Sequence, residues 1–160
     1  MTTPSPPPPA LADAGGLVLA PLPFAPLRVL CVDDNRDAAD SLGALLRLVG
    51  FEARVCHDAA TALTVAAGFA PEACVLDVTM PGTDGCELAA SFRRGLGGDQ
   101  LFLVAVTALG GPEAVDRTAA AGFDLHLVKP VAPQVLIDAL FDFEHRHRRG
   151  VEESRSRGVE

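Results

Sequence analysis

Two aspartates stand side by side, Asp33 and Asp34, at the end of the apolar run "RVLCV" over 28–32. One acid after a strand is ordinary, because Asp commonly caps the helix that follows. A second needs a further reason. Asp77 closes another apolar run, "ACVLD"; a hydroxyl, Thr107, closes "LFLVAVT"; and an ammonium, Lys129, closes "LHLVK". Three carboxylates brought to one place repel one another, so a proton is retained or a cation is bound. Oxygen-only ligation in an open site suits Mg2+, which keeps several waters and accepts a few carboxylates plus a phosphate oxygen. In such a site one member of the Asp33–Asp34 pair contacts the metal directly and the other holds it through water.

Whether these groups meet depends on the elements that carry them. The strand candidates are 28–32, 52–56, 73–77, 101–107 and 125–129. Most are apolar nearly throughout, as strands of a parallel sheet covered on both faces must be. Helical punctuation fills the intervals. Asp34 or Asn35 caps the first helix, whose Ala38, Leu42, Leu45, Leu46 and Val49 form one stripe before Gly50. Asp58 caps the second, which stops around Gly68. The third runs from about Asp84 to Arg94 with Leu88 and Phe92 on one face, and the fourth from Pro112 to Gly122. Pro133 opens the fifth, whose stripe is Leu136, Ala139, Leu140 and Phe143. Strict β-α alternation predicts an open parallel sheet with helices on both sides. Its ligand site lies beyond the carboxyl ends of the strands, where all the residues above stand. Pro81, Gly82 and Gly85 in "MPGTDG" suit a tight turn that shapes the loop beside Asp77.

With 160 residues, 49% of them hydrophobic, the chain is long enough for one domain with tails. The expected division is a disordered Pro/Ala/Gly-rich tail over 1–26, a folded unit over 27–146 and a polar tail over 147–160. A net charge of −8 argues against a broad nucleic-acid-binding face. The one basic cluster, "HRHRRG" from His145, reads as a solvated helix end. Cys31, Cys56, Cys74 and Cys86 form no C-x-x-C pair, so free thiols in a reducing compartment are expected, with neither disulfide nor zinc. The N-terminus lacks the charged start of a signal peptide, and no run of about 18 apolar residues exists to span a membrane. The expected location is the cytoplasm.

The stretches "VDDN" from Val32, "LDVTMPGTDG" from Leu76, "VTAL" from Val106 and "GFDLHLVKPV" from Gly122 resemble, in order and position, the signature of the receiver domain of two-component response regulators, of the single-domain, chemotaxis-regulator-like type. The resemblance covers about residues 27–145. It implies a flavodoxin-like (βα)5 doubly wound fold with strand order 2-1-3-4-5. It also implies that Asp77 is the phosphoacceptor, loaded from a phosphohistidine with Mg2+ held by Asp33, Asp34, Asp77 and the backbone carbonyl of Thr79. Thr107 and Lys129 match the hydroxyl and ammonium that bind phosphoryl oxygens, Ala108 leaves access to Asp77, and Lys129–Pro130 matches a cis peptide bond. His126 matches the switch residue that moves with Thr107 and alters the face made by the fourth helix, fifth strand and fifth helix.

The implied partners are a sensor histidine kinase or histidine phosphotransfer protein and a downstream protein target, with a phosphorylation-dependent homodimer as a further option. No direct nucleic-acid or membrane contact is implied, and no enzymatic activity beyond the chain's own Asp phosphorylation and dephosphorylation. Thr79 departs from the Asn, Met or Arg often found there in the family. It and Leu109 flank the path of attacking water, so the phosphoryl lifetime stays open.

Three rivals fit less well. A phosphatase of the haloacid dehalogenase type needs a second Asp two residues after its nucleophile, where Thr79 stands, and an acidic pair late in the chain. A flavodoxin's first loop must accept phosphate, which Asp33 and Asp34 would repel. A receiver-like interaction module that is not phosphorylated would not need the full constellation.

Overall fold

The computed structural model describes residues 25–158. The order is β1 (Arg28–Val32), α1 (Arg36–Leu48), β2 (Glu52–Cys56), α2 (Ala59–Phe69), β3 (Ala73–Asp77), α3 (Gly85–Gly95), β4 (Phe102–Thr107), α4 (Pro112–Ala121), β5 (Leu125–Val128) and α5 (Pro133–Arg157). The strands pair in parallel as β2-β1-β3-β4-β5. This is the doubly wound flavodoxin-like arrangement that the β-α alternation and the resemblance together lead one to expect. The Pro-rich segment 1–24 lies outside the described residues.

Alternation along the strands divides the core. Leu30, Val32, Leu76, Leu103 and Ala105 pack on one face against Ala62 of α2 and Phe92 of α3. Val29, Cys31, Val75 and Val104 pack on the other against Leu46 of α1 and Leu136 and Leu140 of α5. Every residue of β3, the central strand, is buried. Asp77 therefore ends a strand of which no residue, Asp77 included, is exposed. All four cysteines are free and buried, and burial pushes the Cys31 thiol up to about 12.

Local chemistry decides the helix ends. Asn35, rather than Asp34, caps α1 by accepting from the Ala38 amide at 3.1 Å. Asp33 accepts from the Asn35 amide at 2.9 Å. Asp34 is left exposed and does not cap the helix. In α1 the predicted stripe is displaced: Ala38 is exposed, while Ala39 and Gly43 are buried. A Cβ on Gly43 would stand 2.3 Å from Val55 Cγ2, so the helix approaches β2 more closely than a leucine stripe suggests. Asp58 caps α2 as expected, accepting from the Thr61 amide at 2.7 Å. That helix runs past Gly68 to Phe69 and closes on Ala70 in the left-handed region, φ 51°.

The largest difference lies in α5. The segment from 147, expected as a polar tail, continues the helix to Arg157. Phe143 stacks on Phe102 at 4.7 Å, and His147, one turn on, stacks on Phe143 at 5.3 Å and pairs with Glu72 at 3.4 Å. These contacts hold the helix past the point where its apolar stripe ends. Beyond them an Arg148–Glu144 pair at 3.2 Å and a run of helix-tolerant Arg and Glu carry it on. Among the described residues, no helix is long and apolar enough to cross a membrane.

Candidate functional site

The parallel register makes the strand ends level. Val32 pairs with Leu76, Asp77 with Val106, and Thr107 with Val128. The residues that follow or close those strands therefore meet at one edge. One carboxylate oxygen from each of Asp33, Asp34 and Asp77 lies within 4.8 Å of the others. Lys129 reaches in from β5, its Nζ 3.2 Å from Asp33 Oδ2 and 3.4 Å from Asp77 Oδ2. Its own amide donates to the Thr107 carbonyl at 2.8 Å, and the Lys129–Pro130 bond is cis.

Asp77 is only 6% exposed. Burial pushes its carboxyl up to about 6, with the Asp33 charge adding to the rise. The Thr79 amide, donating to Oδ1 at 3.0 Å, and the Lys129 charge pull the other way without cancelling it. For Lys129, burial alone would lower the ammonium's value, but the bonds and charges of Asp33 and Asp77 outweigh it and the net shift is upward. Three carboxylates against one ammonium leave net negative charge in a confined, oxygen-lined space. The donor set fits a hard divalent cation such as Mg2+.

The loop beside Asp77 is a miniature hairpin, with Thr79–Met80 paired antiparallel to Thr83–Asp84. Pro81 and Gly82 form its turn, Gly82 at φ 72°. Gly85 is required sterically: a Cβ there would stand 2.6 Å from both the Asp77 carbonyl and Val78 Cα. Asp84 caps α3 through the Cys86 amide at 2.9 Å and pairs with Arg117 of α4. On the other side, Pro130 joins Asp33, Lys129 and Leu42 in lining a groove of about 610 Å³ between α1 and the start of α5.

Thr107 is 1% exposed, and its Oγ1 accepts from the Leu109 amide at 3.1 Å. His126 does not sit among the acids. Its ring lies between α4 and the loop after β4, Nδ1 2.9 Å from Thr118 Oγ1 and Nε2 3.1 Å from the Leu109 carbonyl. Leu109 is thus held at both ends, its amide on Thr107 and its carbonyl on His126.

Two neighbours escaped the sequence reading. His57 places Nδ1 3.4 Å from the Asp33 carbonyl and Nε2 3.3 Å from Asp40. It immediately follows β2, so its place at the carboxyl edge was a usable signal. Thr118 carried none, since a threonine inside an amphipathic helix is unremarkable until its partner is known.

The model of the response regulator receiver domain family matches residues 29–141. The response regulator MprA of Mycobacterium avium (strain 104) is 36% identical over 111 residues, 69% of this chain and 48% of that protein. MprA of Mycobacterium tuberculosis (strain H37Rv) is 36% identical, with 69% and 47% covered. The chain therefore spans about half the length of these relatives. Among solved structures, chemotaxis protein CheY4 of Vibrio cholerae superposes with a TM-score of 0.70 at 27% identity, covering 74% of this chain and 99% of that one. The BeF3-activated receiver domain of DrrB, a Thermotoga maritima protein, superposes at 0.67 with 22% identity over 75% and 98%, a likeness of fold. With its match across the folded unit, its doubly wound sheet and its acidic edge, the chain belongs to the receiver domain family of response regulators.

Proposed function

We propose that this receiver domain works as a phosphorylation-controlled signalling switch in which Asp77 takes a phosphoryl group from a phosphohistidine donor. The observation that carries the reading is the grouping of Asp33, Asp34 and Asp77 within 4.8 Å with Lys129 against two of them. Asp77 Oδ2 attacks phosphorus, the phosphorus–nitrogen bond of the donor breaks, and an acyl phosphate forms as imidazole leaves. The transition state is loose, so the protein's task is positioning and charge neutralisation. Lys129 remains beside the transferred group as it leaves Asp33, and the Thr107 hydroxyl, whose lone pair already serves the Leu109 amide, donates to a phosphoryl oxygen. Mg2+, held by Asp33, Asp34, Asp77 and the Thr79 carbonyl, would supply further positive charge to those oxygens. The Thr79 amide keeps Asp77 Oδ1 turned away, leaving Oδ2 to react.

Reorganisation of Thr107 around the phosphoryl group withdraws the acceptor from the Leu109 amide. His126 then loses its fixed carbonyl and moves, changing the face of α4, β5 and α5 offered to a partner, or to a second copy. The chain acts on no substrate but its own Asp77, and its partners are a histidine kinase or phosphotransfer protein and a downstream protein target, in the cytoplasm. The test is intact mass after incubation with Mg2+ and acetyl phosphate, with beryllofluoride binding followed in parallel. A phosphoryl-sized gain in wild type and none in Asp77→Asn is expected. No gain together with no beryllofluoride binding would overturn the reading in favour of a constitutive interaction module.

A further inference from the structure

Three polar side chains are buried among the described residues: Asp77, Thr107 and Thr118. The first two belong to the acceptor site. Thr118, 3% exposed on α4, does not touch it. Its hydroxyl lies 3.0 Å from the Val115 carbonyl and 2.9 Å from His126 Nδ1, and its one hydrogen serves one of them at a time. The ring's other nitrogen faces the Leu109 carbonyl at 3.1 Å and must donate to it. In that neutral tautomer Nδ1 is an acceptor, and the Thr118 hydroxyl completes it by turning its one hydrogen to the ring in place of the Val115 carbonyl. A continuous chain results: Thr118 hydroxyl, His126 ring, Leu109 carbonyl, and through the Leu109 amide the Thr107 hydroxyl at 3.1 Å.

We infer that Thr118 is a positioning residue for the phosphorylation switch: acting through His126, it holds Leu109 and hence Thr107 in the unphosphorylated arrangement. The inference rests on the function proposed above. A ligand at Asp77 can shift the equilibrium only by its preference for one arrangement, and every contact that favours the other lowers its apparent affinity. Thr118 is such a contact. It touches neither the acids nor Lys129, so its loss alters the equilibrium without altering the atoms that bind the phosphoryl group.

Among the described residues, neither His126 nor Thr118 is part of an ion pair, and α4 carries Glu113, Asp116 and Arg117. β4 and the loop after it, "FLVAVTALGG", carry no charged side chain. On α4, Arg117 is taken by Asp84; on β5's flanks, Asp124 is taken by Arg93 and Lys129 by Asp33 and Asp77.

The experiment measures the affinity of the full chain for beryllofluoride with Mg2+ by fluorine NMR, in wild type, Thr118→Val, Thr118→Ser, His126→Phe and the Thr118→Val/His126→Phe double variant. Valine keeps the volume and removes the hydroxyl; serine does the reverse. Thr118→Val is expected to bind about fivefold tighter, the worth of one hydrogen bond of ordinary strength. Thr118→Ser should stay near wild type, and the valine effect should vanish when His126 is already Phe. Unchanged or weaker binding in Thr118→Val, a serine variant that behaves like valine, or a valine effect that persists beside His126→Phe would each overturn the inference. Absence of binding in wild type would instead count against the proposed function. The latch is then read in the free protein by hydrogen exchange at the Leu109 amide, where Thr118→Val should raise exchange about fivefold and an unchanged rate would sink the latch by itself.

Discussion

The two ends of the sheet are built from similar parts and do opposite things. At the amino end, Glu72 faces a surplus of donors: the Arg28 amide at 3.2 Å, the Arg28 guanidinium at 3.5 Å and His147 Nε2 at 3.4 Å. Arg28 spends its Nε on the Ala70 carbonyl at 2.8 Å. The carboxylate is saturated and joins β1, β3 and α5 into a clasp. At the carboxyl end the ratio is reversed, with Asp33, Asp34 and Asp77 grouped beside the ammonium of Lys129, which reaches Asp33 and Asp77 alone. Charge satisfied within the fold becomes structure, whereas charge left unsatisfied becomes affinity for something outside it.

The strongest way to break that contrast is to remove the surplus. Asp33→Asn combined with Asp34→Asn should weaken Mg2+ binding by about 150-fold or more, since each of the two lost charged contacts is worth roughly 1.5–3 kcal/mol. Glu72→Gln, which removes a carboxylate at the saturated end, should leave Mg2+ affinity unchanged. Titration calorimetry on the three proteins checks both; an equal loss from Glu72→Gln would erase the distinction between the two ends.

A second, smaller effect concerns pH. Asp77 holds its proton more tightly in the folded chain, to about 6 against an ordinary 3.8. Folded protein then binds more protons than unfolded between those values, so the contribution of Asp77 to stability is greatest below about pH 4 and is lost as pH rises to about 6. Without metal, wild type should therefore lose stability relative to Asp77→Asn across that window, by up to about 3 kcal/mol, and hold a constant difference above it. Urea unfolding at a series of pH values reads this directly, and a flat difference would show that Lys129 already compensates the buried charge. On the proposed function, added Mg2+ should restore the loss at neutral pH by binding the ionised folded form.

The smallest expected effect sharpens the other end. Glu72→Gln should cost about 1 kcal/mol of stability, because the pairs it breaks are partly exposed. A thermal shift of a few degrees, unaccompanied by any change at the Asp77 site, is the expected result. A larger loss would mean that the extended α5 depends on this clasp more than on the Phe143–Phe102 stack.

The amino-acid sequence by itself determined the strands and the chemistry at their ends, while their order in the sheet was an implication of the family resemblance. Alternation of apolar runs with capped helices admits one sheet, and in a parallel sheet the carboxyl ends must share an edge, so Asp33, Asp34, Asp77, Thr107 and Lys129 were legible as a group. What depended on distances across the fold was not. Gly43 reads as a weak point in α1, yet its bare Cα is what lets the helix close on Val55. The polar segment after Phe143 shows no apolar period, yet Phe102 and Glu72, from elsewhere in the chain, keep it helical. Thr118 and His126 are eight residues apart on different elements, and their meeting at 2.9 Å joins α4 through the ring to the Leu109 carbonyl. Periodicity and capping are properties of neighbours along the chain and can be read there. Close approach, stacking and the sharing of one hydroxyl are properties of neighbours in space, and the tertiary structure alone decides them.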